Sequence, residues 1–220
     1  MIKLSDVSKI YRVGGEDFYA LDCVSLEIKK GEFVAVRGAS GSGKTTLLNI
    51  LGCLDSYDGG TYMLDGVDVG KLKDEKRAEM RNSHIGFVFQ DFALIDTQTV
   101  LYNVMLPLLF SKTPYKKIKA KAKEALAAVG VEDQSGKRAN QLSGGQRQRV
   151  AVARAIVNSP ELILADEPTG QLDTKNNSEI MKLLSKLHGE GRTVVVVTHD
   201  EGVAAYAGRQ ITVSDGRISE

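Results

Sequence analysis

The chain has 220 residues, is 42% hydrophobic and 26% charged, and carries 29 Lys and Arg against 28 Asp and Glu for a formal net charge of +1. That composition is ordinary for a soluble globular protein, and the near-zero charge leaves no global basic field to recommend nucleic acid as a partner. Two cysteines, Cys23 and Cys53, make neither a disulfide framework nor a metal-ligand spacing, and they read as thiols of a reduced, cytosolic compartment.

From the start, "IKLSDVSKIY", "CVSLEI" and "EFVAVRG" place apolar residues at period two or in short runs and read as strands. "MIKLSDVSKI" lacks the apolar core of a signal peptide. The glycine pairs at 14–15 and 59–60 and "DG" at 65–66 read as turns. "KTTLLNILGCL" reads as a helix behind a glycine loop, and "HIGFVFQ" as a short buried strand closed by Gln90. From Asp91 to about Asn158 the pattern turns helical. "PYKKIKAKAKEALAAVG" carries a helix ended by Gly130, and "GGQRQRVAVARAIVN" another that stops before Pro160. The most apolar stretch, Val104 to Phe110, contains Pro107 and is far too short to span a bilayer. "ELILADE", "SEIMKLLSKLHGEG", "RTVVVVTHD" and "RQITVSDGRI" then alternate strand and helix. An all-apolar strand such as "VVVV" suits a parallel sheet covered on both faces. The expectation is a single α/β domain. Its core is built from 1–90 and 159–220, and 91–158 form a helical insertion.

"GASGSGKT", Gly38 to Thr45, fits G-x-x-x-x-G-K-[ST] in its required context, after a strand and before a helix. Gly38, Gly41 and Gly43 let the backbone wrap a β-phosphate. Lys44 reaches the β- and γ-phosphates, and the Thr45 hydroxyl is a Mg²⁺ ligand. The apolar strand "LILADE" ends in Asp166, which puts a carboxylate where Mg²⁺ binds at the carboxyl edge of such sheets. Glu167 beside it suits orientation of an attacking water. His199 follows "TVVVVT" in the same topological position and suits contact with a γ-phosphate, and the Gln90 amide suits Mg²⁺ or water. Ser143, Gly144 and Gly145 open a helix and make a second anion-type site, since helix N-termini carry unpaired N–H groups and a positive dipole end.

With "GASGSGKT", "LSGGQ", "LILADE", Gln90 and "VTHD" in this order, the whole chain resembles the ATP-binding subunit of ABC transporters. "NILGCLD", "GFVFQDFALI", "NVMLPLLF" and "ADEPTGQLD" resemble the branch serving lipoprotein release, macrolide export and antimicrobial-peptide export or resistance. The resemblance implies a P-loop NTPase (RecA-like) core with an antiparallel β-subdomain and an inserted α-helical subdomain. It implies an ATPase using ATP and Mg²⁺, acting as the motor of a membrane exporter. The alternative is a regulatory ATPase that controls cell-wall hydrolases or senses peptide antibiotics through a membrane subunit. Nucleic-acid ATPases of related type insert coiled coils or zinc modules between the nucleotide motifs, and none stands between Lys44 and Asp166.

The resemblance further implies a head-to-tail homodimer sandwiching two ATP molecules, with an integral membrane permease as partner on the cytoplasmic side of the membrane. ATP contacts then fall to Tyr11, taken to stack on adenine from the loop after the first strand, and to Gly38, Ala39, Ser40, Gly41, Ser42, Gly43, Lys44, Thr45 and Thr46. Ser143, Gly144, Gly145 and Gln146 act on the partner's nucleotide. Thr45, Gln90 and Asp166 hold Mg²⁺, Glu167 and His199 are catalytic, and Asp173 crosses the dimer interface. Gln171 departs from the small residue or Asn more usual there. The stretch from Phe92 to Phe110 borders the groove for a cytoplasmic helix of the membrane subunit. The lysines at 116, 117, 119, 121 and 123 read as the solvated face of a helix, with anionic lipid as the other reading.

Overall fold

The structure, a computed structural model, describes residues 1–219. It contains two compact units: Met1–Ala78 with the chain from Thr193 onward, and Glu79–Arg192.

In the first unit, β1 (Ile2–Val13) and β2 (Glu16–Ile28) pair antiparallel with Ile2 opposite Ile28 and Leu4 opposite Leu26. These four side chains are buried, so the period-two pattern turns one sheet face to the core. Register shifts beside Val7 and Lys9 bend the hairpin before Tyr11, which therefore lies within β1, opposite Phe18, and not in a following loop. β3 (Phe33–Arg37) leads through the glycine loop into α1 (Lys44–Leu51). β4 (Gly59–Leu64) and β5 (Val67–Asp68) complete the antiparallel sheet in the order β2-β1-β4-β5. Gly59 and Gly60 open β4 where a turn was expected. Gly60 has φ +86°, and a Cβ there would meet the Asp6 carbonyl at 2.4 Å. The fully buried Tyr62 donates its hydroxyl to the Leu51 carbonyl at 2.7 Å and ties β4 to the end of α1.

Helix α2 (Asp74–His84) has no counterpart among the sequence expectations, and it has no buried residue. With no apolar stripe it gives no periodic signal. Asp74 and Glu75 in its first turn and Arg81 and His84 in its last match the helix dipole.

In the second unit, β6 (Ile85–Val88) runs parallel to β7 (Leu162–Asp166), and Val88 aligns with Ala165. Between them come α3 (Val100–Leu109), α4 (Tyr115–Ala128) and α5 (Gly144–Ile156). Ile118, Ala122, Ala125 and Leu126 form the buried stripe of α4, and Gly130 follows it at φ +72°. Helix α6 (Thr174–Gly189) starts four residues ahead of "SEIM" because Asp173 caps it, accepting from the Asn176 N–H.

The chain returns to the first unit as β8 (Thr193–Val197), α7 (Glu201–Ala204), β9 (Arg209–Ser214) and β10 (Arg217–Ser219). β3 lies parallel between β8 and β9, and β10 pairs antiparallel with β9. Every residue of β8 is buried, as its unbroken apolar run requires. Among the described residues no helix is long and apolar enough to cross a membrane.

Candidate functional site

The glycine loop of the first unit is held open by close backbone approach. Gly38 has φ +150°, and a Cβ there would lie 2.1 Å from the Val213 carbonyl. Gly43 has φ +106°, and its Cβ would lie 2.3 Å from the Ala20 carbonyl. Gly41, by contrast, meets nothing within 4 Å. Two of the three glycines are therefore demanded by packing as well as by backbone conformation. The Gly216 N–H bonds the Ser42 carbonyl at 3.1 Å and fixes the loop from behind.

Lys44 is buried and folds back on the loop, its Nζ donating to the carbonyls of Gly38 (2.9 Å) and Ala39 (2.7 Å). The positive charge therefore sits inside the curl of the loop. The Gly43 cap makes no side-chain hydrogen bond to the helix, so the first N–H groups of α1 have neither an intrahelical acceptor nor a side-chain cap. Ser42 Oγ is buried without a hydrogen-bond partner among the described residues. An ammonium, an uncapped helix N-terminus and an unsatisfied hydroxyl make a site that a phosphate completes. Thr45 is exposed one residue beyond Lys44.

His199 belongs to the same unit. β8 ends at Val197, two residues before it, and Val197 aligns with Val36 of β3. His199 and Gly38 thus leave neighbouring parallel strands at the same edge. Asp200 anchors that turn by accepting the N–H groups of Gly202 and Val203.

Tyr11 is 38% exposed, and its hydroxyl donates to Asp55 Oδ2 at 2.8 Å. Lys9 Nζ bonds Asp55 Oδ1 at 2.9 Å and lies 5.1 Å from the Tyr11 ring centroid. Burial and the neighbouring Asp55 raise the Tyr11 hydroxyl above its ordinary pKa, so it remains a donor. Burial would raise Asp55 too, but bonds from Lys9 and Tyr11 outweigh it and leave the carboxyl below its ordinary value. From the sequence Tyr11 is a ring for stacking; the structure adds a tether through "GCLD" that no local signal announces.

In the second unit, β6 stops at Val88, two residues before Gln90, and β7 ends in Asp166, so both residues leave the same edge of their strand pair. Glu167 follows at φ +42°, a left-handed conformation that turns the chain sharply after the strand. A Cβ on Gly170 would lie 3.0 Å from Gln90 Nε2, so the amide packs against the turn after Glu167.

Sequence reasoning missed Gln148. It is fully buried on α5 and donates its Nε2 to the Pro168 carbonyl at 2.7 Å and the Phe89 carbonyl at 3.4 Å. One side chain thereby clamps the loop carrying Gln90 to the turn carrying Glu167. Arg154, six residues further along α5, donates to the carbonyls of Phe92 and Ala93, both at positive φ. The only local hint is a polar residue at a buried position of an otherwise apolar stripe.

Ser143 caps α5 in a capping box. It accepts the Gln146 N–H at 3.4 Å, and Gln146 Oε1 accepts the Ser143 N–H at 3.0 Å. Gln146 is thus occupied in shaping the helix start, while the N–H groups of Gly144 and Gly145 have no intrahelical acceptor. Both glycines are packed from behind. A Cβ on Gly144 would lie 3.3 Å from Leu172, and one on Gly145 2.2 Å from Asn176 Oδ1. Asn176 also donates from its backbone and its side chain to Asp173, at 2.8 and 2.9 Å, and these bonds lower the Asp173 carboxyl below its ordinary pKa. Asn176 therefore joins the Asp173 loop to the start of α5. An open cleft of about 320 Å³ borders Ser143, Gly145, Gln146, Arg149 and Asn176.

Gln148→Leu should cost about 1–3 kcal/mol of stability by leaving two carbonyls without their donor. If the clamp aligns the two loops, turnover should fall more than nucleotide affinity does, which steady-state kinetics beside urea unfolding will check. For Tyr11, stacking alone predicts that Phe serves as well as Tyr, with Ala losing about 1–3 kcal/mol of nucleotide affinity. Loss of the Asp55 tether should make Phe intermediate, at about 0.5–1.5 kcal/mol in nucleotide titrations.

The family described as ABC transporter matches residues 21–170. The chain is 49% identical over 218 residues to the uncharacterized ABC transporter ATP-binding protein YvrO of Bacillus subtilis, covering 99% of this chain and 95% of that one. It is also 49% identical over 220 residues to the macrolide export ATP-binding/permease protein MacB of Chlorobaculum tepidum, covering 99% of this chain but 33% of that longer protein. A dimeric structure of the ATP-binding cassette MJ0796, in a post-hydrolysis state bound to ADP and Pi, superposes with a TM-score of 0.93 at 47% identity, covering 100% of this chain and 97% of that one. The P-loop, the capped "LSGGQ" helix and the two carboxyl strand edges therefore belong to a P-loop NTPase fold, and the chain is a member of the ABC transporter family, an ATP-hydrolysing subunit.

Proposed function

We propose that two copies of the chain close head to tail around two ATP molecules and that this closure drives an integral membrane permease from the cytoplasmic side, exporting a hydrophobic compound, peptide or lipoprotein. One observation carries the reading. Although the P-loop already forms a phosphate site, α5 presents Ser143 and the Gly144–Gly145 backbone at a second helix N-terminus beside an open cleft. The names of the similar MacB and of the dimeric MJ0796 cassette support the permease and the dimer respectively.

In this reading Gly38 to Gly43 wrap the β-phosphate, Lys44 binds the β- and γ-phosphates, Thr46 adds a phosphate contact and Tyr11 covers the adenine. Thr45, Gln90 and Asp166 offer hydroxyl, amide and carboxylate oxygens, a hard donor set suited to Mg²⁺, which when bound would neutralise phosphate charge. Glu167 orients and polarises the water that attacks the γ-phosphorus, and His199 donates to the γ-phosphate oxygens. Ser143, Gly144 and Gly145, shaped by Gln146, bind the γ-phosphate held by the partner's P-loop, while Asp173 crosses to the other copy. Each γ-phosphate bridges two chains, so conversion of ATP and water to ADP and phosphate removes the bridge and reopens the dimer.

Glu167→Gln keeps size but removes the charge that activates water. Turnover should fall between about a hundredfold and ten-thousandfold with ATP binding retained, and an ATP-dependent dimer should persist on gel filtration. Near-normal hydrolysis would remove Glu167 from the reaction.

Sharing of sites is tested by mixing Lys44→Ala with Ser143→Arg. Each homodimer has two defective sites. A mixed dimer concentrates both defects in one site and leaves the other intact, and random pairing makes about half the dimers mixed. Two inactive proteins should therefore regain ATPase activity or nucleotide trapping when combined. Folded mixed dimers that do neither would show that "LSGGQ" does not act on the partner's nucleotide.

A further inference from the structure

Between Asp96 and Glu124 the sequence has no acidic residue and six lysines, in a chain whose net charge is +1. The structure folds the middle of this stretch into the tip of a helical hairpin, since α3 ends at Leu109, α4 begins at Tyr115, and the two helices pack together. The turn between them is hydrogen-bonded internally. Ser111 Oγ donates to the Leu108 carbonyl at 2.8 Å, and the Thr113 N–H donates back to Ser111 Oγ at 3.1 Å.

At this tip Phe110 is 81% exposed and Tyr115 82%. A single exposed aromatic ring needs no explanation, but two beside a run of cations on one hairpin tip form a patch of definite chemistry. Lys116, Lys117 and Lys119 are exposed on the first turns of α4, while Ile118 faces inward and fixes the helix rotation. Lys112 at the tip is paired with Glu79 at 3.1 Å. Among the described residues the other three lysines make no ion pair. The patch thus keeps three cations without an ion pair on the helix that Tyr115 opens.

We infer that this hairpin tip rests on the anionic headgroups of a lipid bilayer, with Phe110 and Tyr115 entering the interfacial layer. Exposed aromatic rings are favoured at that depth, and lysines gain from the negative surface within about one Debye length, roughly 10 Å at 0.1 M salt. A purely solvated helix face accounts for the lysines but not for the rings. The inference is independent of the nucleotide sites, because none of these residues belongs to them.

The test is co-sedimentation of the purified chain with vesicles of neutral phosphatidylcholine, alone or mixed with anionic phosphatidylglycerol. Binding should require the anionic lipid and vanish near 1 M salt. Each lysine lost should weaken it about fivefold, so Lys116→Ala/Lys117→Ala/Lys119→Ala should lose about a hundredfold. The same change at Lys3, Lys29 and Lys30, exposed in the other unit, should matter little. Phe110→Ser/Tyr115→Ser should weaken binding while leaving its salt dependence. Unchanged ATPase activity in solution will show that every variant is folded. Equal binding to neutral vesicles, or equal loss in the control triple, would overturn the inference. So would variants that bind vesicles normally but fail to co-purify with a permease, since the tip would then be a protein-docking face.

Discussion

The first N–H groups of an α-helix have no acceptor inside the helix, and in this protein the starts of α1 and α5 leave at least their first two N–H groups without a side-chain acceptor as well. At α1 the cap is a glycine that offers no side chain, and Lys44 is turned inward onto the loop carbonyls. At α5 the cap is Ser143, whose box with Gln146 satisfies the third N–H and leaves the first two. The remaining architecture can be understood as what it takes to hold these two backbone surfaces in shape without filling them. Side chains are removed where the backbone must approach, at Gly38, Gly43 and Gly145, and what stands behind each is protein and not solvent.

Helix α5 carries most of that burden in the second unit. Along about two turns it holds the Asp173 loop through the contact of Gly145 with Asn176, and the Glu167 turn and the Gln90 loop through Gln148. Through Arg154 it also holds the left-handed backbone at Phe92 and Ala93. Those of Gln148 and Arg154 are hydrogen bonds of buried or half-buried groups, where losing a partner costs more than the bond itself contributes. Such a helix has no cheap way to shift against one loop while keeping the others.

The Tyr11 cluster applies the same economy in the first unit. A tyrosine on the bent end of a hairpin would be a mobile platform. The shared carboxylate of Asp55, held by both Lys9 and Tyr11, fixes the ring's edge and leaves a face available. Lys9 does double duty, since it neutralises Asp55 and lies near the ring.

Much of this was legible in the sequence wherever the cause is local. The P-loop is a strand, a glycine spacing and a helix start in one run of residues. The α4 and α5 helices follow from apolar periodicity with Gly130 and Ser143 as stop and start, and β7 and β8 follow from unbroken apolar runs. Helix α2 was invisible because a helix that buries nothing has no period to detect. Tyr11 lay in a strand because its partner Phe18 comes from another strand, and pairing is not written in either segment alone. Only the tertiary structure decided that Gly38 faces the Val213 carbonyl, that Gln148 bridges Phe89 and Pro168, and that Asp55 receives Tyr11. The reason is the same in each case. Backbone conformation and amphipathic pattern are properties of neighbours in the chain, whereas the contact that makes a residue indispensable joins segments tens to hundreds of residues apart.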